Sequence, residues 1–443
     1  MIGIDLISTD LKQITFTDVV EFCGRKEKEG IQFDYKKELS SLAKDFSAFS
    51  NTRGGVILVG VDEHKEFGYP IAWDGVDNDK QLLEKIDQWA TTVQPLPRYT
   101  YHMTDVVDGK VFILVKILEG DKPPYYVNND SHLWVRTGVI SNPIDMAKPD
   151  YVELLYNKRK DAEKLRQINI DVANSIFDSY LRQCERERLS EINQEKQKYQ
   201  QKYQEDNSIG IYKQTVYGKK LGEDGGLTKI CFQPYYPTNE LMKPDDILEK
   251  IVEIRNGDGK FSPTFPTPDK RPIPNGVASF NWNRLGGDIG CEQLNANGLV
   301  YYAWELMRRD TQTGIGCIYL SHVASYLFHI MRGMVSFYKM ASFNGTIIGK
   351  ITISSVEGVE INQEMGSGHF GFNSNIKGLQ DSYNYDFELD TDILFNELKF
   401  QAYFIEMIQK IYWSFGYKIS DGLVKAYLKM QGWLVEEAIE NVT

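Results

Sequence analysis

Residues 150–206 contain neither proline nor glycine, and this stretch constrains the fold of the 443-residue chain more than any other. Proline and glycine end or kink helices, so the stretch predicts one continuous helix of about fifty residues, roughly 75 Å long. A helix of that length is too long to fold back on one small domain. It therefore predicts an N-terminal domain over 1–155, a helical linker over 156–206 and a C-terminal domain over 207–443.

Apolar side chains recur along this linker at helical and then heptad-like spacing, at Leu165, Ile168, Val172, Ile176, Leu189, Ile192, Tyr199 and Tyr203. Such a stripe is typical of a dimer-forming coiled coil, and also of a helix that packs on its own chain. The stripe is short, and Lys196 interrupts it. A homodimer or higher homo-oligomer through the linker and packing on the chain's own domains therefore both stay open.

The two flanking regions mix strand-like and helix-like segments, which predicts an α+β fold with a mixed N-terminal sheet and a separate α/β-type C-terminal domain. In the N-terminal region we expect strands at 31–39, 54–61 and 131–138, helices at 41–51 and 79–93, and a hairpin over 98–118 joined by Asp-Gly. In the C-terminal region we expect helices at 318–341 and 395–417, strands over 343–361, a proline-rich loop at 261–276 and a turn at 286–291.

Charge and cysteine content exclude some classes of function. The formal net charge is −12, which argues against broad binding to nucleic acid but leaves room for a local site where a metal ion supplies positive charge. The five cysteines are far apart and form no CxxC pair, so neither a disulfide framework nor a cysteine-based zinc site is expected. The first residues carry acids, and no apolar window reaches the length of a membrane span, which predicts a cytoplasmic protein.

Three carboxylates border the two most strand-like segments of the N-terminal region. Glu29 lies in the loop before the first strand, Asp34 follows five residues later within it, and Asp62 follows the second strand. Adjacent strands could bring these acids together, where they would repel one another unless a cation lay between them. A hard divalent cation with oxygen ligands suits attack on a phosphodiester, and Lys36 and Arg53 are placed to contact phosphate oxygens. Spacing alone leaves open that the acids are ordinary solvated charges.

The series E-x4-D-Y-K, a helix, and then A-F-S-N-T-R-G-G-V-I-L-V-G-V-D-E resembles the Schlafen AlbA-type domain family over about residues 15–155. The resemblance implies metal-dependent RNA cleavage by Glu29, Asp34 and Asp62, with Glu63 as a substitute for Asp62, and Mg²⁺ or Mn²⁺ as the cofactor. Lys36 matches the motif lysine and would contact a phosphate or a carboxylate. Asp34 replaces the family's usual glutamate and Glu63 its final aspartate, and either change could alter the metal geometry.

A second set of residues is expected to bind the substrate. Gly54 and Gly55 follow the end of the predicted helix, where their backbone N–H groups could approach a phosphate beside Asn51 and Arg53. The alternative is that the glycines only allow the chain to turn. The resemblance adds Arg136, at the end of a strand that reads R-x-G.

The sequence therefore predicts a metal-dependent RNA endonuclease acting on tRNA or another structured RNA, with a role in bacterial stress or anti-phage defence. Residues 207–443 would be a sensor for a trigger ligand or protein. Two alternatives stay open: a nucleic-acid-binding regulator without catalysis, and a sensor or assembly protein whose activity resides in the C-terminal domain.

Overall fold

The computed structural model describes residues 6–7, 9–79, 81–138, 140–145, 149–202, 227–237, 240–256, 269–282, 289–305, 308–309, 316–362 and 376–434. Within these ranges, no helix combines the length and the apolar character needed to cross a membrane. Helices and strands alternate along the chain in an α+β arrangement, as the sequence predicted.

The helices are α1 (Phe16–Gly24), α2 (Ala43–Asn51), α3 (Gln81–Thr91), α4 (Pro149–Lys202), α5 (Pro244–Asn256), α6 (Leu320–Met340), α7 (Thr391–Phe395), α8 (Glu397–Ser414) and α9 (Asp421–Met430). The N-terminal strands are β1 (Phe33–Lys36), β2 (Gly55–Val59), β3 (Asp62–Glu63), β4 (Pro70–Ala72), β5 (Val76–Asp77), β6 (Val93–Gln94), β7 (Tyr99–Met103), β8 (Lys110–Val111), β9 (Ile113–Ile117), β10 (Tyr126–Val127), β11 (His132–Thr137) and β12 (Ile140–Asp145). The C-terminal strands are β13 (Leu227–Pro234), β14 (Asp269–Ile273), β15 (Gly276–Trp282), β16 (Ile289–Asn295), β17 (Val300–Glu305), β18 (Arg308–Arg309), β19 (Gly316–Tyr319), β20 (Thr346–Ser354), β21 (Glu360–Asn362), β22 (Ile376–Lys377) and β23 (Ser382–Asp390).

The first N-terminal sheet is mixed, in the order β1–β2–β9–β7, with β1 parallel to β2 and the other neighbours antiparallel. All residues of β2 are buried, because helices cover both faces of the sheet. Val56 and Leu58 pack with α1 on one face, and Ile57 and Val59 pack with α2 and α3 on the other. The buried strand that the apolar run predicted is therefore confirmed.

The predicted hairpin is also present, with β7 antiparallel to β9 and Tyr101 opposite Val115. The chain turns at Asp108 and Gly109, whose φ angles are 49° and 76°. Positive φ at both central positions explains why an Asp-Gly pair marks this kind of turn. A second sheet, in the order β12–β11–β10–β6, contacts α2 and contains the expected strand at 131–138.

The long helix α4 packs on the C-terminal domain of its own chain. Ala173 and Phe177 enter a buried cluster with Phe280 and Tyr301 on one face of a large sheet. Of the predicted stripe, Ile176 packs against this cluster, whereas Ile168 and Val172 are exposed, and the small residues Ala162, Ala173 and Cys184 are buried. Small side chains let the helix approach the sheet closely. Tyr203, the last residue of that stripe, lies outside the described residues.

The large C-terminal sheet is antiparallel, in the order β14–β15–β16–β17–β13–β20–β23. Helices α5, α6, α8 and α9 contribute to the apolar core on its other face. The expected helices at 318–341 and 395–417 correspond to α6 and α8, and β20 and β21 occupy the segment expected to form strands.

Two C-terminal expectations need correction. The supposed proline-rich loop contains β14, which pairs with β15 from Asp269 to Ile273, while residues 261–268 lie outside the described ranges. The supposed turn at 286–291 enters β16 at Ile289, with its first three residues also undescribed. Ladder hydrogen bonds to neighbouring strands overrode the local turn preference of these proline- and glycine-containing segments.

Candidate functional site

Glu29 lies in the loop before β1 and is fixed by two backbone contacts. Its N–H donates to the Gly68 carbonyl over 2.7 Å, which joins this loop to the β3–β4 hairpin. Its Oε1 accepts from the Tyr35 N–H at 2.6 Å. The Glu29 carboxyl group is therefore held above the start of the mixed sheet, partly out of solvent.

Glu63, at the end of β3, meets Glu29 through its side chain. The two carboxyl groups share a hydrogen bond, which requires a proton on one of them. Burial, this hydrogen bond and the negative charge of Asp34 raise the pKa of Glu29 from 4.5 to about 9. Glu29 therefore keeps its proton at neutral pH, because ionising it in a partly buried place beside other carboxyl groups is unfavourable.

Asp34 is buried in β1 beside two positive charges. The Arg136 Nη1 donates to its Oδ1 at 3.1 Å, and Lys36 Nζ lies 2.6 Å from its Oδ2 in a contact that is an ion pair by distance rather than an aligned hydrogen bond. Arg136 also donates to the carbonyls of Gly30 and Phe33, and only 1% of its side chain is exposed. This placement indicates that Arg136, predicted to bind substrate, positions Asp34 and the strand that carries it.

Lys36 is the cation of this site that remains within reach of solvent, with 28% of its side chain exposed. Burial alone would lower its pKa, but the charges of Asp45 and Asp34 outweigh that effect and raise it. Asp45, on α2, is a buried acid that the sequence analysis did not identify, and burial raises its pKa. The sequence spacing does not single out Asp45 as a site residue. It lies within a helix whose residues are nearly all buried, so no polar face distinguishes it.

Asp62 lies apart from this group. Its Oδ2 accepts from Lys37 Nζ at 2.8 Å near the surface, and this hydrogen bond lowers the pKa of Asp62. Successive side chains of a strand point to opposite faces, so β3 can direct either Asp62 or Glu63 towards Glu29. The structure directs Glu63 there, so the predicted meeting of Glu29, Asp34 and Asp62 is replaced by one of Glu29, Glu63 and the neighbouring Asp34.

The Asn51–Gly55 turn is tightly packed by its own domain. The Asn51 side chain accepts from the Tyr125 N–H at 2.7 Å and donates to the carbonyls of Tyr125 and Trp134. Gly54 has φ 65°, and a Cβ there would lie 2.6 Å from the Ile117 carbonyl oxygen; one on Gly55 would lie 2.4 Å from that of Gln32.

These contacts explain both glycines and Asn51 through packing, which favours the structural alternative over phosphate binding. Arg53 is exposed beside them. Burial raises the pKa of nearby Glu119, and the charges of Lys158 and Arg53 only partly oppose this effect.

Comparison with known proteins identifies this region. The family model described as "Schlafen, AlbA_2" matches residues 20–145. Residues 20–145 form a Schlafen AlbA_2 domain. This confirms the resemblance stated from the motifs, and the domain indicates a nucleic-acid-related function.

Among solved structures, this chain is similar to the N-terminal domain of an ATP-dependent DNA helicase RecG-related protein from Nitrosomonas europaea. The identity is 18%, and the match covers 30% of this chain and 94% of the other with a TM-score of 0.24. A search of curated proteins gives no match.

The acids of the Schlafen AlbA_2 domain that the structure describes offer two carboxylates, rather than three or more, as ligands for a metal ion. In the part of the chain that the structure describes, no group of three or more His, Cys, Asp or Glu side chains is arranged to hold a metal. Glu29 and Glu63 nevertheless offer two adjacent carboxylates. Mg²⁺ commonly binds through one or two carboxylates plus substrate phosphates, so this pair fits such an ion once it gives up its shared proton.

Proposed function

We propose that this protein cleaves RNA at the Schlafen AlbA_2 domain, with a divalent cation held by Glu29 and Glu63. The observation that carries the proposal is the hydrogen-bonded pair of these two carboxyl groups beside buried Asp34, with the pKa of Glu29 near 9. Such a pair is costly for a purely structural role, because ionised neighbouring carboxylates repel each other.

The chemistry follows from the charges around the pair. A bound Mg²⁺ or Mn²⁺ would polarise a phosphodiester and make an attacking water more acidic. Lys36 reaches solvent beside the pair and can donate to a non-bridging phosphate oxygen, although it must share its charge with Asp34. Arg136 holds Asp34 from the buried side, so it keeps Lys36 and the strand β1 in place without needing to touch the substrate.

Structured RNA, and tRNA in particular, is the proposed substrate. The net charge of −12 disfavours binding by bulk electrostatics, so recognition would depend on the local site and the metal. The C-terminal domain is proposed as the sensor that controls cleavage, in a bacterial stress or defence response. Its salt bridges with the N-terminal domain support this assignment: Arg98 Nη2 lies 2.6 Å from Asp390, and Lys116 Nζ lies 3.1 Å from Asp392.

The test is a cleavage assay with the purified 443-residue chain, tRNA, and Mg²⁺, Mn²⁺ or EDTA. Fragments should appear only with a metal, and Glu29→Gln and Glu63→Gln should each lower the rate by about 100-fold or more. Asp34→Asn should also impair cleavage. Asp62→Asn is the matched control, because Asp62 pairs with Lys37 outside the site, and it should retain activity within about 3-fold.

A readout that does not depend on turnover is calorimetric titration with Mn²⁺. Wild-type protein should bind the ion, and the Glu29→Gln/Glu63→Gln variant should not. Intact tRNA under every metal condition, together with no Mn²⁺ binding, would contradict the proposal.

A nucleic-acid-binding regulator without catalysis is the second candidate. The observation that favours it is that Arg136 and Lys36 already neutralise Asp34, so Asp34 is not free to complete a metal site with the pair. This candidate predicts salt-sensitive RNA binding that persists in Glu29→Gln and Glu63→Gln, with no fragments from any substrate.

A further inference from the structure

The tip of the β3–β4 hairpin carries three aromatic rings that pack together, two pairs of them stacked. We call His64, Phe67 and Tyr69 the aromatic tip. The centroids of Phe67 and Tyr69 are 6.2 Å apart at an interplanar angle of 14°, and those of His64 and Tyr69 are 5.2 Å apart at 25°. The centroids of His64 and Phe67 are 4.9 Å apart at a wider angle of 38°, and Phe67 is 51% exposed.

Backbone hydrogen bonds hold the aromatic tip in place. The His64 N–H donates to the Tyr69 carbonyl at 2.8 Å, and the His64 carbonyl accepts from Phe67 and Gly68 at 3.1 and 2.8 Å. Gly68 has φ 62°, a conformation that permits this tight turn. A pre-ordered ring loses little conformational entropy on binding a flat ligand, so this geometry suits recognition better than a mobile side chain would.

The aromatic tip is bonded directly to the proposed catalytic site. The Gly68 carbonyl accepts the 2.7 Å hydrogen bond from the Glu29 N–H, and Glu63 is the residue immediately before His64. A strand of nucleic acid whose phosphate lay at Glu29 and Glu63 would therefore have a neighbouring base close to the rings.

The charge of the tip fits the same ligand. Lys26 Nζ lies 5.6 Å from the centre of the Tyr69 ring. The two segments that meet here, 25–28 and 64–69, expose more cations than acids, namely Arg25, Lys26, Lys28 and Lys65 against Glu27 and Glu66. This local excess contrasts with the net charge of −12 on the whole chain. Phosphate groups on either side of a stacked base would be attracted to it.

We propose that the aromatic tip is a stacking platform for one unpaired nucleobase of single-stranded RNA, next to the bond that is cut. The proposal rests on the proposed function for its placement relative to the cleaved phosphate. Stacking needs no base-specific hydrogen bond, so the platform selects unpaired over paired nucleotides rather than one base over another. A hairpin loop or a single-stranded end of a folded RNA presents such a base.

Binding is measured by fluorescence anisotropy in EDTA, so that no cleavage occurs, with single-stranded RNA and with a blunt RNA duplex. Phe67→Ala should weaken binding of the single strand by about 5- to 100-fold, the range expected for loss of one base–aromatic stack. Phe67→Trp should keep the affinity within about 3-fold, and its added fluorescence should be quenched by RNA beyond the quenching of the wild type.

Ile71→Ala is the matched control, because Ile71 lies on the same hairpin, is 53% exposed and lacks a π face. It should leave binding unchanged. RNAs that each carry one abasic nucleotide, at a different position along the strand, test the role of the base itself. For one of these positions, the wild type should bind the abasic RNA as weakly as Phe67→Ala binds the intact RNA. A DNA strand of the same sequence shows whether the platform distinguishes the two nucleic acids.

Equal affinity of wild type and Phe67→Ala for single-stranded RNA would overturn the platform, as would full affinity for every abasic RNA. A change of molecular mass in Phe67→Ala by light scattering would assign the tip to contact with a second copy of the chain. These binding results are independent of cleavage. If Phe67→Ala binds and cleaves RNA normally, only the stacking platform is refuted. If the wild type binds RNA through Phe67 but never cleaves it, only the proposed nuclease activity is refuted.

Discussion

Lys158 of the long helix α4 ends 2.6 Å from Glu119, a buried carboxylate of the N-terminal domain. The same ammonium donates to the carbonyls of Asn51 and Thr52 at 3.2 and 2.9 Å, at the end of α2 where carbonyls lack partners within the helix. The Tyr236 ring of the C-terminal domain lies 4.3 Å from this nitrogen. One side chain therefore connects the helix with both domains, at the turn that precedes β2.

Lys158→Met should destabilise the protein by about 3 kcal/mol, because it leaves a buried carboxylate and two carbonyls without their donor. Burial raises the pKa of Glu119 even with Lys158 present, so in the variant this group should protonate more readily. The loss should therefore be full only above the raised pKa that Glu119 has in the folded variant, and it should shrink as the pH falls through that pKa, because a protonated Glu119 no longer needs the ammonium. Urea denaturation at pH 7.5 and pH 5 measures both effects.

The control is Lys160→Met, on an exposed part of the same helix, which should change the free energy of unfolding by less than about 0.5 kcal/mol. Adding Glu119→Gln to Lys158→Met should recover part of the lost stability. Equal stability of the Lys158 and Lys160 variants would show that the contact contributes nothing.

Arg136→Lys should be nearly as destabilising as Arg136→Met. The guanidinium serves Asp34 and the carbonyls of Gly30 and Phe33 from one planar group, whereas a lysine ammonium cannot reach all three. Removing one partner of a buried ion pair costs about 3–5 kcal/mol, although Lys36 will offset part of it here. Thermal melting monitored by near-ultraviolet circular dichroism gives the measurement. A lysine variant with wild-type stability would rule out this role for the fork-shaped side chain.

The sequence predicted the sheet of the N-terminal domain well, because β2 is a continuous apolar run and Asp-Gly enforces one kind of turn. It could not predict which acid after β2 faces Glu29. The pairing of β3 with β4 shifts register between Asp62 and Glu63, and Lys37 binds Asp62 near the surface. That choice depends on a local irregularity and a surface partner, neither of which leaves a pattern in residue spacing.

In the presence of EDTA, Glu29→Gln should raise the melting temperature relative to wild type, and more so at pH 8 than at pH 5. The pKa of Glu29 is about 9 in the folded protein against 4.5 as its ordinary value. The unfolded chain therefore releases this proton as the pH rises through 4.5, while the folded protein keeps it until about pH 9. The contribution of Glu29 to stability is lost across that window, and glutamine has no proton to lose.

Each kcal/mol of this difference corresponds to roughly 2–4 °C for a chain or domain of this size. Differential scanning fluorimetry from pH 5 to pH 9 gives the comparison, with Glu27→Gln as the exposed control from the same loop. If the wild-type and Glu29→Gln curves run parallel over the whole range, the two carboxyl groups do not share a proton. Addition of Mn²⁺ should stabilise the wild type at pH 8 and leave Glu29→Gln with little gain.

Residues on opposite sides of α4 separate intramolecular packing from a coiled coil. Phe177 is fully buried against the C-terminal sheet, whereas Ile168 is 54% exposed. Phe177→Ala should cost about 3–5 kcal/mol by leaving a cavity, and Ile168→Ala should cost less than about 0.5 kcal/mol. Chemical denaturation and light scattering on the same samples measure stability and mass. A fall in mass for Ile168→Ala/Val172→Ala would instead place an oligomer contact on the exposed apolar face, because those side chains have little to contribute within one chain.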